Sequence, residues 1–236
     1  MSAFTFKDQA FLASAKSSGV TPDSFPGLHR WYKADSYSGV GSDGDSVGGG
    51  TAVLGEWIDQ TGSGDDANHP TSGGIFKTNI VGTKPVIRQT NEYLNFAPGS
   101  LGDFTIVCAH RRLDPNTSFL LQNTANNDQL TRAFGGFTTY FFAGVTVVVA
   151  DAFANPADFM VLAVRRSGTS VTFRENKTAR GGGTEAPGFL VTEIGSNING
   201  SQIDHGELMI WTSVLSDADL DQLYDEYLKP RWTTLP

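Results

Sequence analysis

The sequence predicts an all-β chain, an antiparallel sandwich closed by one short helix near its C-terminus. Three observations carry that prediction. Apolar residues recur with a period of two along most of the chain, the runs are short and bounded by Gly, Asn, Asp, Ser or Pro, and no strand–helix–strand rhythm separates them. Glycine-rich turns, drawn from 27 glycines, join the runs.

Taken in order, the chain begins with Phe4–Ala15, where Phe4, Phe11, Leu12 and Ala15 fall on one helical face. A polar stretch from Ser17 to Ser24 follows, so this helical segment either folds back on the body or is an arm that grips a partner; both readings stay open. Residues 1–27 are accordingly read as an N-terminal arm and 28–236 as the sandwich. Strand candidates are Leu28–Ala34, Val53–Ile58 and Tyr93–Phe96, then Phe104–His110, with Phe104, Ile106 and Cys108 on one face and Thr105, Val107 and Ala109 on the other. Ser118–Gln122, Phe137–Phe142 and Val145–Val149 come next. Phe159–Val164 is apolar on both faces, as in a covered central strand, whereas Val171–Arg174 alternates like a half-exposed one. Leu190–Ile194 and Glu207–Trp211 complete the set. Ser46–Gly50 and Gly181–Gly183 read as loops.

The closing helix is predicted over 216–228. Ser216 and Asp219 have the spacing of a capping box, and Leu215 and Leu220 stand at staple positions. Leu220, Leu223, Tyr224, Tyr227 and Leu228 form one apolar stripe. Asp217, Asp219 and Asp221 near the start and Lys229 and Arg231 near the end suit the helix dipole, and Pro230 is expected to stop the helix. Burying such a stripe contributes on the order of 7–15 kcal/mol as an upper bound, so the helix must dock.

With 236 residues the chain is expected to be a single domain able to bury a sizeable core. Its one cysteine, Cys108, cannot form a disulfide within the chain and sits in an apolar run, where an inert buried thiol is expected. No apolar run approaches the ~20 residues of a membrane span, and no basic segment leads into an apolar one at the N-terminus. Membrane insertion is excluded on this reading, and synthesis in a cytoplasm is expected. A net charge of −8 and a pI near 4.9 argue against nucleic acid as a partner. Arg111-Arg112 and Arg165-Arg166 close strand-like runs and are expected to be solvated strand ends.

One loop attracts a sharper question. In Trp57-Ile58-Asp59-Gln60-Thr61-Gly62-Ser63-Gly64-Asp65-Asp66-Ala67, the reading taken is a turn, with Asp59 accepting backbone N–H groups and Gly62 and Gly64 supplying positive φ. The rival is a calcium site built from Asp43, Asp45 and Asp59, whose oxygens have the right hardness. No other cofactor is expected. His29, His69, His110 and His205 lack metal-binding spacing, and there is no Gly-x-Ser-x-Gly elbow or phosphate loop.

Leu28-His29-Arg30-Trp31-Tyr32-Lys33-Ala34-Asp35, Asp43-Gly44-Asp45-Ser46-Val47, the Trp57–Ala67 loop and Lys84-Pro85 together resemble the opening of the concanavalin A-like (laminin-G-like) lectin/glucanase jelly rolls. The likeness is to the kind found in phage virion and bacterial surface proteins. Gly206–Trp211, Leu215-Ser216 and the helix ending Tyr227-Leu228-Lys229-Pro230-Arg231-Trp232 resemble that family's last strand and closing helix. Val164–Thr169 with Arg174-Glu175-Asn176 suits its hairpin. The chain departs from the pattern at Tyr32-Lys33, and between Pro115 and Pro156 nothing matches.

The resemblance implies a jelly-roll sandwich and a non-enzymatic virion surface protein, serving particle decoration or host-surface glycan adhesion. A bacterial surface carbohydrate-binding module and a glycan-cleaving enzyme of the same fold are the alternatives. Glucanases of this fold carry Glu-x-Asp-x-Glu on one strand, and that triplet is absent here; Glu56 and Asp59 are offset by three and would face opposite ways. Implied partners are other virion proteins or further copies of the chain, and a cell-surface glycan. Carbohydrate sites use aromatic rings beside polar groups, which nominates Tyr37, Tyr140 and Phe141.

Overall fold

The computed structural model describes residues 19–37, 41–47, 55–69, 73–113, 118–125, 128–132, 138–142, 146–150, 159–184, 188–196 and 202–236, with backbone alone for 132 and for the strands within 138–150. Phe4, Phe11 and Leu12 lie outside the described residues. The strands in chain order begin with β1 (Leu28–Tyr37), β2 (Trp57–Asp59), β3 (Ile75–Val81), β4 (Lys84–Thr90), β5 (Tyr93–Asn95), β6 (Phe104–Arg112), β7 (Ser118–Asn123) and β8 (Asp128–Arg132). They continue with β9 (Thr138–Phe142), β10 (Thr146–Ala150), β11 (Met160–Ser167), β12 (Ser170–Glu175), β13 (Thr178–Thr184), β14 (Glu193–Gly195) and β15 (Gln202–Trp211).

Among the described residues these strands make two antiparallel sheets. The larger, nine-stranded, runs β13-β12-β11-β6-β15-β1-β2, with β4 also on β15 and β3 on β4; the six-stranded one runs β10-β9-β8-β7-β14-β5. Strand β15 organises the larger sheet. One flank pairs along its length with β6, while the other pairs first with β4 (Gln202↔Thr90 to His205↔Ile87) and then with β1 (Glu207↔Lys33 to Trp211↔Leu28). The register shifts between His205 and Glu207. Gly206 sits at that shift, where a Cβ would come within 2.6 Å of Phe159 and 2.7 Å of Trp232. Only glycine lets the Trp232 ring lie on the backbone there.

The central strands are covered on both sides, as the doubly apolar runs predict. Ile106, Cys108, Leu162, Val164, Leu208 and Ile210 face the second sheet, with Tyr32, Trp57, Leu94, Leu121, Leu130 and Ile194. Val107, Ala109, Val161, Ala163, Met209 and Trp211 face outward, under the closing helix. Leu220, Leu223, Tyr224 and Leu228 are buried against them, and Tyr227 packs alongside. The capping box is formed: Ser216 Oγ accepts from the Asp219 N–H at 3.1 Å, and Asp219 Oδ2 accepts from the Ser216 N–H at 2.9 Å.

The helix does not stop at Pro230. It runs as α-helix over Asp217–Gln222, widens to π-helix over Leu223–Leu228 and continues through Lys229–Arg231. The Lys229 N–H reaches back five residues to the Tyr224 carbonyl. Pro230 stands at the start of that last segment, where a missing N–H is tolerated. The extension places Arg231 and Trp232 over Glu207, a fully buried carboxylate on β15. Its Oε1 accepts from Trp31 Nε1 (2.7 Å) and the Tyr227 hydroxyl (2.5 Å), and its Oε2 from Arg231 Nε (2.9 Å) and Trp232 Nε1 (3.2 Å). Four donors satisfy a charge that burial would otherwise make costly.

The paired arginines are not solvated strand ends. Arg112 and Arg166 are 1% and 2% exposed, and Arg166 donates to the carbonyls of Leu101 and Gly102. Arg111 and Arg88 share the buried Asp204 at 2.6 and 2.7 Å, and Arg165 binds Asp217 on the helix at 2.7 Å. Gly181–Gly183 is likewise strand, part of β13, held by pairing with β12 rather than by any propensity of its own.

Candidate functional site

The acidic loop after Trp57 is a turn whose carboxylates are used internally. Asp59 Oδ1 accepts from the N–H groups of Thr61 and Trp31, each at 3.0 Å, and Oδ2 from the Thr61 hydroxyl at 2.7 Å and from Ser63. Asp66 takes the Asp59 N–H at 2.7 Å. Asp65 receives Arg30 Nε at 2.6 Å and the Ala97 N–H. Gly62 and Gly64 adopt φ of 74° and 77°, the left-handed conformation such a turn requires.

Asp43 binds the Lys77 ammonium at 2.8 Å and the Thr78 N–H at 2.9 Å, contacts that hold its carboxyl below the ordinary value. Asp45 accepts from the Ser42 N–H at 2.6 Å. Among the described residues, no group of three or more His, Cys, Asp or Glu side chains is arranged to hold a metal.

The aromatic candidates are dispersed. Tyr37 ends β1, packs against the core and meets Phe76 edge-on with ring centroids 4.8 Å apart. Tyr140 and Phe141 lie in β9, in register with Thr131 and Leu130 of β8. Two of the histidines, His110 and His205, face each other across β6 and β15 and are buried. Burial pushes the Cys108 thiol far above its usual range.

Polar groups do converge on the six-stranded sheet, on the face turned away from the core. Leu94, Ile194, Leu121 and Leu130 are successive cross-strand partners and all belong to the core. Their neighbours along each strand, Asn95, Glu193, Gln122 and Gln129, are therefore also successive partners, on the opposite face; Asn95 is exposed, Glu193 and Gln129 are half-buried and Gln122 is buried. The row extends through Asn68, whose N–H and carbonyl pair with Asn95 at 2.9 and 2.6 Å.

Glu193 is the chemical centre of this row. Gln122 Nε2 donates to its Oε2, and the Thr124 hydroxyl lies 3.1 and 3.0 Å from its two oxygens. A carboxylate has about four lone-pair sites, so the pair of neighbours orients Glu193 and leaves acceptor capacity. Beside it, Tyr93 and His69, both half-buried, meet edge to face with centroids 4.7 Å apart. Glu56 accepts from the Asn68 amide at 3.2 Å. Rings, amides and carboxylates thus share one surface, the combination that binds hydroxylated ligands. This row escaped the sequence reading, because it exists only once strands distant in sequence are in register; the alternation in Tyr93-Leu94-Asn95 and Glu193-Ile194-Gly195 was its one visible trace.

A cavity of about 330 Å³ between the β12–β13 turn and the closing helix is the competing location, lined by Glu175, Asn176, Lys177, Thr178, Arg180, Tyr224 and Pro236. Its charges are matched within the chain, Lys177 with Asp225 and Arg180 with Glu175, each at 2.7 Å. The Tyr224 hydroxyl donates to the Pro236 carbonyl at 2.9 Å.

The architecture defines a β-sandwich of two antiparallel sheets with a helix closing the larger one. No protein-family model and no curated protein matches the chain. Solved structures do. The binding domain of Paraclostridial Mosquitocidal Protein 1 superposes with a TM-score of 0.62 at 14% identity, covering 85% of this chain and 52% of that one. Domain 4 of AbnA, an extracellular GH43 arabinanase from Geobacillus stearothermophilus, in complex with arabinotriose, gives 0.57 at 14% identity, covering 84% and 98%. The botulinum neurotoxin serotype D ligand-binding domain, in complex with N-acetylneuraminic acid, gives 0.58 at 10% identity, covering 83% and 52%. The chain spans about half the length of the two toxin domains and nearly all of the arabinanase domain. At these identities the likeness is one of fold.

Proposed function

We propose that this chain is a non-catalytic, lectin-like adhesion module that binds glycan on the outer face of its six-stranded sheet. The observation that carries the reading is the pair Asn95 and Glu193 on adjacent strands, with Glu193 oriented by the buried Gln122, beside the Tyr93–His69 ring pair. Adjacent strands lie ~4.8 Å apart, so Asn95 and Glu193 can reach one sugar unit together, while the buried Gln122 orients Glu193 rather than meeting the ligand. Two of the similar structures are complexes with carbohydrate, which favours the same use of this fold. Display on a phage-type virion, beside other virion proteins or further copies of the chain, is the setting proposed from the order of motifs along the sequence.

A broad glycan array with the intact protein tests the reading. Binding is expected, and Tyr93→Ala is expected to weaken it at least tenfold, because a stacked ring supplies about 0.5–1.5 kcal/mol beyond its buried area. An intact protein that binds no glycan would end the adhesion reading and leave a purely structural role in a particle.

A further inference from the structure

We infer that the ligand of this face is an uncharged glycan, and that sialylated or uronic-acid sugars are discriminated against; the inference rests on the glycan-binding reading above. It follows from where the cations are. The strands of the nine-stranded sheet carry most of the chain's Lys and Arg, including the pairs Arg111-Arg112 and Arg165-Arg166, whereas those of the six-stranded sheet carry Arg132 alone.

The connections supply no more. The sequence holds no Lys or Arg between Arg88 and Arg111, none but Arg132 between Arg112 and Arg165, and none between Arg180 and Lys229. Every segment that enters or leaves the six strands lies within those intervals. The same intervals hold acidic residues, among them Glu92, Asp103, Asp114, Asp151 and Glu185, in a chain of net charge −8. Near Asn68 and His69 the sequence has no Lys or Arg from 34 to 76.

Recognition of a sugar carboxylate calls for Arg or Lys, whose charge-assisted bonds offset the desolvation of the anion. This face presents instead two carboxylates, Glu56 and Glu193, and the amides of Asn68, Asn95 and Gln129. Carboxylates accept from hydroxyls, and amides both donate and accept, which suits a neutral polyhydroxylated ligand. An anionic sugar meets like charge on arrival and finds no Lys or Arg among the described side chains of this row.

The test measures binding of neutral arabino-, xylo-, gluco- and galacto-oligosaccharides against sialylated and glucuronylated counterparts, at low and at physiological ionic strength. Neutral ligands are expected to bind at least ~10-fold more tightly than their acidic counterparts, with the gap narrowing as salt screens the repulsion. Gln129→Lys, checked to melt like the wild type, is expected to narrow the gap at low salt. Acidic sugars binding as well as or better than neutral ones would overturn the inference and leave glycan binding intact. Binding of neither class would overturn both.

Discussion

The two sheets handle polar groups in opposite ways. The nine-stranded sheet buries charge: Asp204 under Arg88 and Arg111, Glu207 under Arg231, Arg174 against Asp217 and Asp221. The six-stranded sheet carries amides and a single partly exposed carboxylate in a cross-strand row. The difference follows from what covers each. A helix lies on the larger sheet, so every charge beneath it must find a partner inside the chain. In the smaller sheet's row Gln122 is buried and donates to Glu193, whereas Asn95 is exposed and Glu193 and Gln129 are half-buried, neutral amides and one carboxylate that cost little where water reaches them. On the reading proposed above, the larger sheet is scaffold and the β5–β14 edge of the smaller one is the contact surface.

The largest expected effect is therefore at Glu207. Glu207→Ala leaves Trp31 Nε1, Tyr227, Arg231 and Trp232 Nε1 without their shared acceptor, and removing one partner of a buried ion pair costs about 3–5 kcal/mol. Urea denaturation should show a loss of that order, with near-ultraviolet signals of Trp31 and Trp232 altered. A loss under about 1 kcal/mol would mean the closing helix is held by its apolar stripe alone.

What was legible in the sequence divides along the same line. Period-two runs located the strands whose alternation is apolar, and the capping box with its stripe located the closing helix, because these signals are local. β3, β4, β8 and β13 went unseen. Lys84–Thr90 is interrupted by Pro85 and charges, Asp128–Arg132 is short and polar, and three of the seven residues of Thr178–Thr184 are glycine; each is strand because a neighbour pairs with it. The first half of β15 hid for a related reason: Asp204 and His205 are polar residues in a buried strand, satisfied or sheltered only by tertiary partners. Buried Arg112 and Arg166 misled in the same way, since a sequence shows charge but not the carbonyl that receives it. The candidate site was the least legible part, because register among strands from residue 93 to residue 195 assembles it.

A middle-sized effect is expected from acid. His205 lies in the core opposite His110, with Trp57 at 6.5 Å between ring centroids, while the adjoining Asp204 points to the other face and is bound by Arg88 and Arg111. Burial holds its pKa down at about 4, against 6.5 for an ordinary histidine, with Asp204 opposing the shift. The folded protein therefore keeps His205 neutral where the unfolded chain has already taken up a proton. Stability is full above pH ~6.5 and falls as pH drops toward about 4, by roughly 3 kcal/mol if no other group compensates. Melting temperatures across that window should fall in the wild type and fall less in His205→Gln. Parallel curves would place the acid sensitivity in the carboxylates of the larger sheet instead.

The smallest effect on stability should be at the outward row, and that contrast is the sharpest test of the division between scaffold and surface. Asn95 is exposed, and the strand contacts that hold it are made by its backbone, to Asn68 and to β14. Asn95→Ala removes an amide that the fold does not use, so its melting temperature should stay within the range of ordinary surface substitutions, about ±0.5 kcal/mol. Glycan affinity should nevertheless fall severalfold, because a hydrogen bond to a neutral partner is worth about 0.5–1.5 kcal/mol. A variant that melts early would show the row to be part of the scaffold. One that melts normally and binds glycan undiminished would move the contact surface away from β5, toward the part of the sheet built from β8 and β9.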